Sequence, residues 1–369
     1  MGEPTQTLTS RELQQSEGAQ DWRVLGTGAA AWFTTPSHAR GADLAARVLG
    51  LAEETGAVVD VDVRARGVRV RIPLTPEDEG WTTAHLSIAR EVSRAASQIG
   101  LAADPSALQD VQLAFDVLDQ AAVSPFWETV LGYRRVGDED IMDPARRHPP
   151  IWFQDLDPQA PRPLRNRLHL DAVTPLPVTE AALAAVEADG ARVAPHGFYA
   201  TVADAEGNEV DLLELQEWDQ RPWRTPETED WRLVFAAVAC YPTRSAREAA
   251  GLTTTAAALA DEAGLALNID VRPGLATVAT AKDAWEMQEG YDALAAEVQR
   301  AARALGLVAD TTLPRFVQVG IDAVDIPAVR GFWRVVLGYE EDPRTGVTDL
   351  VDPRQLNTTV FLQDLDASD

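Results

Sequence analysis

The chain is short of cysteine, basic charge, histidine and long apolar runs. One thiol, Cys240, stands alone in 369 residues, which excludes an internal disulfide and any multi-cysteine zinc site. Lys and Arg number 32 against 58 Asp and Glu, for a formal charge of −26. Such an excess repels polyphosphates and anionic bilayers, so neither nucleic acid nor a membrane surface is an expected partner. No stretch approaches the ~18 uninterrupted apolar residues that suggest a membrane span. The opening MGEPTQTLTSRELQQSEGAQ lacks the apolar core and basic flank of a secretory leader, so the expected setting is cytoplasmic. No histidine follows His196, which removes imidazole chemistry from the rest of the chain. Gly-x-Ser-x-Gly and the phosphate-binding glycine loop are missing as well. What is present suffices for packed domains: 46% of residues are hydrophobic and 24% charged. At ~100–200 residues each, two to four domains are expected.

A long-range repeat organises the chain. Asp116-Val117-Leu118-Asp119 and Phe126-Trp127-Glu128-Thr129-Val130-Leu131-Gly132-Tyr133 recur as Asp322-Ala323-Val324-Asp325 and Phe332-Trp333-Arg334-Val335-Val336-Leu337-Gly338-Tyr339. Gln154-Asp155-Leu156-Asp157 returns as Gln363-Asp364-Leu365-Asp366. Upstream, Asp21-Trp22-Arg23-Val24 matches Asp230-Trp231-Arg232-Leu233, and Gly56 matches Gly264. A pair of units was therefore doubled, to A-B-A′-B′. The boundaries are a polar segment 1–20, A over 21–105, B over 110–217, a linker 218–229, A′ over 230–310 and B′ over 313–369. B′ holds about half of B.

Hydrophobic periodicity gives an α+β reading. In A, residues 40–55 read as a helix, 57–73 as two strands around Arg66-Gly67, and 82–99 as a second helix. A′ repeats the order at 253–263, 265–280 and 288–305. In B, a strand at 111–118 precedes a helix at 120–131 that stops at Gly132, and strands follow near 133–137 and 150–154. The same order returns in 167–217. B thus reads as two paired β-α-β-β-β modules, and B′ as one.

On these residues B resembles the vicinal-oxygen-chelate superfamily of glyoxalase and bleomycin-resistance-like proteins. The carriers are the module pair, the Phe126-Trp127 helix ending in Gly132-Tyr133, the strand Asn166-Arg167-Leu168-His169-Leu170-Asp171, and Glu206-Gly207-Asn208-Glu209. A and A′ look like pterin-4a-carbinolamine dehydratases in element order and glycine placement.

Each resemblance implies a site. The glyoxalase-like likeness implies four metal ligands on strands lining a cup. They map here to Gln112, Gln154, His169 and Asp211, donors suited to a divalent metal; strand alternation puts Arg167, His169 and Asp171 on one face, and Gln318 and Gln363 repeat the two glutamines in B′. Substrate-binding candidates are Phe126, Trp127, Trp152, Arg167 and Tyr199. The aromatic side chains suit a planar ligand or ordinary core. Arg165 and Arg167 suit an anion clamp or relief of the acidic surface. The dehydratase likeness implies a histidine-rich acid/base cluster. Its positions here are Ala57, Val58, Val59 and Asp60, so the acid alone remains, and Asp60 and His169 are the catalytic candidates. Asp60, Asp62 and Asp270 otherwise read as solvated strand-edge carboxylates, and His85 as a surface helix residue.

Three readings stay open. The first is a small-molecule-binding glyoxalase-like protein (a lyase, an isomerase or a resistance-type binder) fused to degenerate dehydratase-like units. The second is a carbinolamine dehydratase acting through A. The third is a non-catalytic assembly module. An isolated half-unit leaves an open sheet edge, so B′ is expected to pair with B or with another copy, as a homodimer through B′.

Overall fold

A computed structural model describes residues 6–75, 78–157, 159, 167–213, 223 and 225–365. The chain forms two compact units. One draws on 1–110, 221–232 and 236–311, the other on 111–220, 233–235 and 312–369. A and A′ thus share one unit, and B and B′ the other.

In the first unit, alternation over 57–73 yields the expected hairpin, Asp60–Arg64 against Gly67–Ile72. Val61, Val63, Val68 and Val70 are fully buried on one side of it. The Asp60–Arg64 strand pairs antiparallel with Asn268–Arg272 of A′, so both repeats share one continuous sheet. Helices His38–Thr55 and Ala246–Ala263 pack on one another. His38 ties them further: its Nδ1 lies 3.1 Å from Asp261 and its Nε2 3.1 Å from the Leu267 carbonyl. Sequence reading missed two strands ahead of each first helix, of which Gly28–Thr34 and Ala236–Pro242 are the longer. Both are alanine-rich and largely buried on both faces, so they show no period-2 signal. The polar start folds too: a capping box between Thr9 and Glu12 opens helix Ser10–Gln15, and Leu13 on it is buried.

The alternate face of this sheet corrects one expectation. Asp60, Asp62 and Asp270 are neither solvated nor at an edge. They are buried mid-sheet and held by four arginines. Arg71 reaches Asp60 at 2.9 Å, Arg69 and Arg272 reach Asp62 at 2.7 Å each, and Arg64 reaches Asp270 at 2.6 Å. Burial alone would raise the Asp62 carboxyl, but Arg272 and then Arg69 hold it well below the usual carboxylate range. His85, read as a surface residue, is part-buried at the start of helix Thr83–Gln98, where its Nδ1 accepts from the Thr82 N–H at 3.1 Å.

The second unit holds three modules of one topology. In the first, Leu113–Val117 lies at the edge of a four-stranded sheet beside Ile151–Asp155, with Asp140–Met142 and Arg134–Val136 beyond. The second module (Leu168–Val173, helix Leu176–Ala188, then strands Arg192–Pro195, Tyr199–Ala203 and Glu209–Leu213) does not join that sheet. Its Leu168–Val173 strand pairs antiparallel with Phe316–Ala323 of B′, making an eight-stranded sheet from the second and third modules. The first strand of B′, expected to pair with B or with another copy, is therefore covered within the chain by B.

Modules one and two are joined by side chains instead. Trp127, fully buried on helix Gln120–Leu131, donates its indole N–H to Asp204 at 2.9 Å. Glu206 accepts from the backbone N–H groups of Leu118 and Asp119 at 2.7 and 2.8 Å. The acidic turn Asp204–Glu209 is thus a clasp between modules. Trp127→Phe should keep the packing and remove one hydrogen bond from Asp204, which keeps those from Glu206 and Asn208, at a cost of ~1 kcal/mol in urea denaturation.

His148 gives this unit a pH dependence. Burial lowers its pKa from 6.5 to about 4, despite the opposing charge of Asp143. A base with a depressed folded pKa contributes stability above its unfolded pKa, and that contribution is lost as pH falls toward the folded value. Stability of the second unit should therefore decline between pH 6.5 and about 4. Denaturant melts of wild type and His148→Gln over that window check this, with a flatter profile expected in the variant.

Candidate functional site

The eight-stranded sheet sorts its residues by strand parity. Leu170, Ala172, Val210, Leu212, Val317, Val319, Ile321, Val360 and Leu362 pack into the apolar core. His169, Asp171, Asp211, Thr201, Gln318, Gly320 and Asp322 occupy the opposite face. Register brings them together: Asp171 stands beside Asp211 on one side and Gln318 on the other, and His169 stands beside Gly320.

His169, Asp171 and Asp211 each present a ligand atom, all within 4.8 Å of one another. His169 Nε2 is 3.7 Å from Asp171, and its Nδ1 is 3.9 Å from Asp322. Phe361 meets the imidazole edge-on at 5.5 Å. Around them, Thr201 donates to Asp211 at 2.6 Å, Gln318 Nε2 to Asp171 at 2.8 Å, and Gln363 Nε2 to Asp322 at 2.9 Å. Gln318 is 3% exposed, and its Oε1 is buried without a hydrogen-bond partner. Burial, followed by the charges of Asp211 and Asp171, raises the Tyr199 phenol above its ordinary pKa. It therefore stays protonated as a donor.

Of the four expected ligands, His169 and Asp211 meet here and the two glutamines do not. Gln112 is exposed just ahead of strand Leu113–Val117, and Gln154 is half-buried on strand Ile151–Asp155 of the separate four-stranded sheet. Gln154 donates to Asp116. Their repeat copy Gln318 takes the place beside His169, because the second module pairs with B′ and not with the first. The two halves of the cup are unequal. By strand position Gln318 answers to His169, and Phe361, alongside Gly320, answers to Asp211.

Of the proposed substrate residues, Trp127 and Arg167 border one cavity, and Phe126, Trp152 and Tyr199 are not in its lining. Tyr199 shares the cluster's face. Trp127 is core, Phe126 packs half-buried and edge-on against it, and Trp152 is exposed on the outer sheet. Arg167 is exposed just ahead of the His169 strand, and Arg165 lies outside the described residues. This cavity, of about 400 Å³, has Gln112, Arg167, His169 and Trp127 in its lining, together with apolar side chains such as Phe115, Ile321 and Trp333, so four of the expected site residues border one hollow. Asp60 has no such cluster. Its carboxylate accepts two hydrogen bonds from Arg71, at 3.1 and 2.9 Å.

Asp171 was visible in sequence as sharing a strand face with His169, and Gln318 as the repeat of Gln112. Thr201 and Gly320 carried no signal, since their roles depend on which strands pair.

The family model of the glyoxalase-like domain matches residues 112–213, the first two modules. No curated protein and no solved structure matches the chain.

Proposed function

We propose that the second unit is a small-molecule-binding protein of vicinal-oxygen-chelate type whose working cup is built from the second module and B′. A divalent metal held by His169, Asp171 and Asp211 would anchor its ligand. The carrying observation is the gathering of one imidazole and two carboxylates within 4.8 Å beside a buried, unpartnered amide oxygen. The donor set fits a hard or borderline cation: Mn, Fe, Ni or Zn can take mixed imidazole and carboxylate oxygen ligands. Gln318 Oε1 would satisfy its unmet hydrogen-bonding capacity on the same cation. Phe361 in the position opposite Asp211 leaves the set one donor short of a closed shell.

The surrounding side chains prepare the site. Thr201 fixes the orientation of Asp211, as Gln318 does for Asp171, and ligands oriented in this way bind more tightly. Tyr199 offers a proton to an oxygen-bearing ligand at the cluster. A bound divalent ion would supply Lewis-acid polarisation of a ligand oxygen.

Purified chain titrated with Mn²⁺, Ni²⁺ and Zn²⁺ by calorimetry tests this. One ion per chain is expected, with affinity down by more than about 100-fold in His169→Ala and Asp211→Asn. Gln112→Ala and Gln154→Ala should bind as wild type. A wild-type chain that takes up none of the three ions refutes the reading.

A further inference from the structure

The repeat makes an internal comparison possible. Helix Gln120–Leu131 of the first module and helix Ile326–Leu337 of B′ carry the same Phe-Trp-x-x-Val-Leu-Gly-Tyr ending. In the first module the counterparts of Phe332, Val335 and Val336 are Phe126 and Thr129, both half-buried, and Val130, 3% exposed. That helix packs against Leu176–Ala188, the helix of the second module. In B′ none of the twelve helix residues is buried. Phe332 is 59% exposed, Val335 73% and Val336 54%, and Val324 just before the helix is 78% exposed. Phe332, Val335 and Val336 stand at i, i+3 and i+4, so they form one apolar stripe.

We propose that a second copy of this chain covers this stripe, with helix Ile326–Leu337 packing on its own counterpart about a twofold axis. The first module shows what such a helix packs against: the helix of another β-α-β-β-β module. Among the described residues, four of the twelve large exposed hydrophobics gather at this helix. The matching apolar helix offered by a second copy is therefore the same one, as an isologous contact requires. Charge agrees. Two copies at −26 repel one another over most of their surface. At this face Arg330 and Arg334 are paired with Glu341 at 3.2 and 3.4 Å, and the stripe itself carries no acid. This inference is independent of the metal reading.

Sedimentation velocity of the full chain across micromolar concentrations tests it. A monomer–dimer equilibrium is expected, strengthened by added salt because screening relieves the −26 against −26 repulsion and leaves apolar contact intact. Phe332→Glu and, separately, Val335→Glu should each raise the dimer Kd about tenfold or more. Both positions are exposed, so circular dichroism should stay unchanged. A chain that stays monomeric throughout, a dimer weakened by salt, or a dimer indifferent to both substitutions overturns the proposal.

Discussion

Replacing Asp62 with asparagine should be among the most destabilising single changes in the first unit, by ~3–5 kcal/mol. The carboxylate is fully buried and takes Arg69 on one oxygen and Arg272 on the other, both at 2.7 Å. Arg272 comes from A′, so the substitution strikes the seam where the two repeats join. The amide removes the carboxylate that Arg69 and Arg272 share, Arg272 keeps the longer 3.8 Å contact to Asp60, and one amide oxygen cannot replace two charged acceptors. The triple change Asp62→Leu with Arg69→Met and Arg272→Met should recover much of the loss, since replacing the carboxylate together with both of its guanidinium partners by apolar side chains avoids the desolvation cost. Calorimetric melts of the three chains decide the matter. A loss below about 1 kcal/mol in Asp62→Asn would show that the network is surface-like in energy.

The same group sets an acid limit. Its folded pKa is depressed, so its contribution is complete above the unfolded value of about 4 and disappears as pH falls through the folded value. The first unit should therefore lose stability below pH ~4, with much of that slope absent in the apolar triple variant. The second unit weakens earlier, between pH 6.5 and about 4, through His148. An acid titration should thus show two stages in order, the second unit before the first.

Part of this network was legible in the sequence. A hairpin turning around Arg66-Gly67 places Asp60 opposite Arg71 and Asp62 opposite Arg69, which is the observed register. Burial was not legible, because an alternating apolar-charged strand has the same pattern whether its charged side meets water or guanidinium groups. The Arg272 contribution depends on the Asp60–Arg64 strand pairing with Asn268–Arg272. That contact spans more than two hundred residues of chain, and no local signal fixes it.

The cup shows the same division. Module order, helix ends and the shared face of His169 and Asp171 followed from periodicity and repeats. Partner choice did not. Three modules of one topology offer three equivalent first strands, and their patterns do not say which two will pair. Pairing the second with the third brings Gln318 to His169. Pairing the second with the first would have brought Gln112. A single choice of partner moves the expected glutamine by one repeat, although the donor type stays the same.

Gly320 offers a sharp test of that cup. It sits in extended strand beside His169 with no need for a positive φ, so alanine is acceptable to the backbone. The side chain is the difficulty. A Cβ there would collide with His169 Cε1 and Nε2 and stand 2.7 Å from the Phe361 ring. Gly320→Ala must therefore swing the imidazole away from Asp171 and Asp211, while every proposed ligand keeps its identity. Overpacking of this kind costs ~1–3 kcal/mol in stability. Misorienting a ligand should cost ~10–100-fold in metal affinity. Calorimetric titration with Ni²⁺ reads the second effect apart from the first, provided the variant is kept below its melting range. The double variant Gly320→Ala with Phe361→Ala opens room on the other side of position 320 from the imidazole and should restore part of the affinity. If Gly320→Ala binds Ni²⁺ as wild type does, His169 is not holding the ion, and the cluster must work through its carboxylates alone.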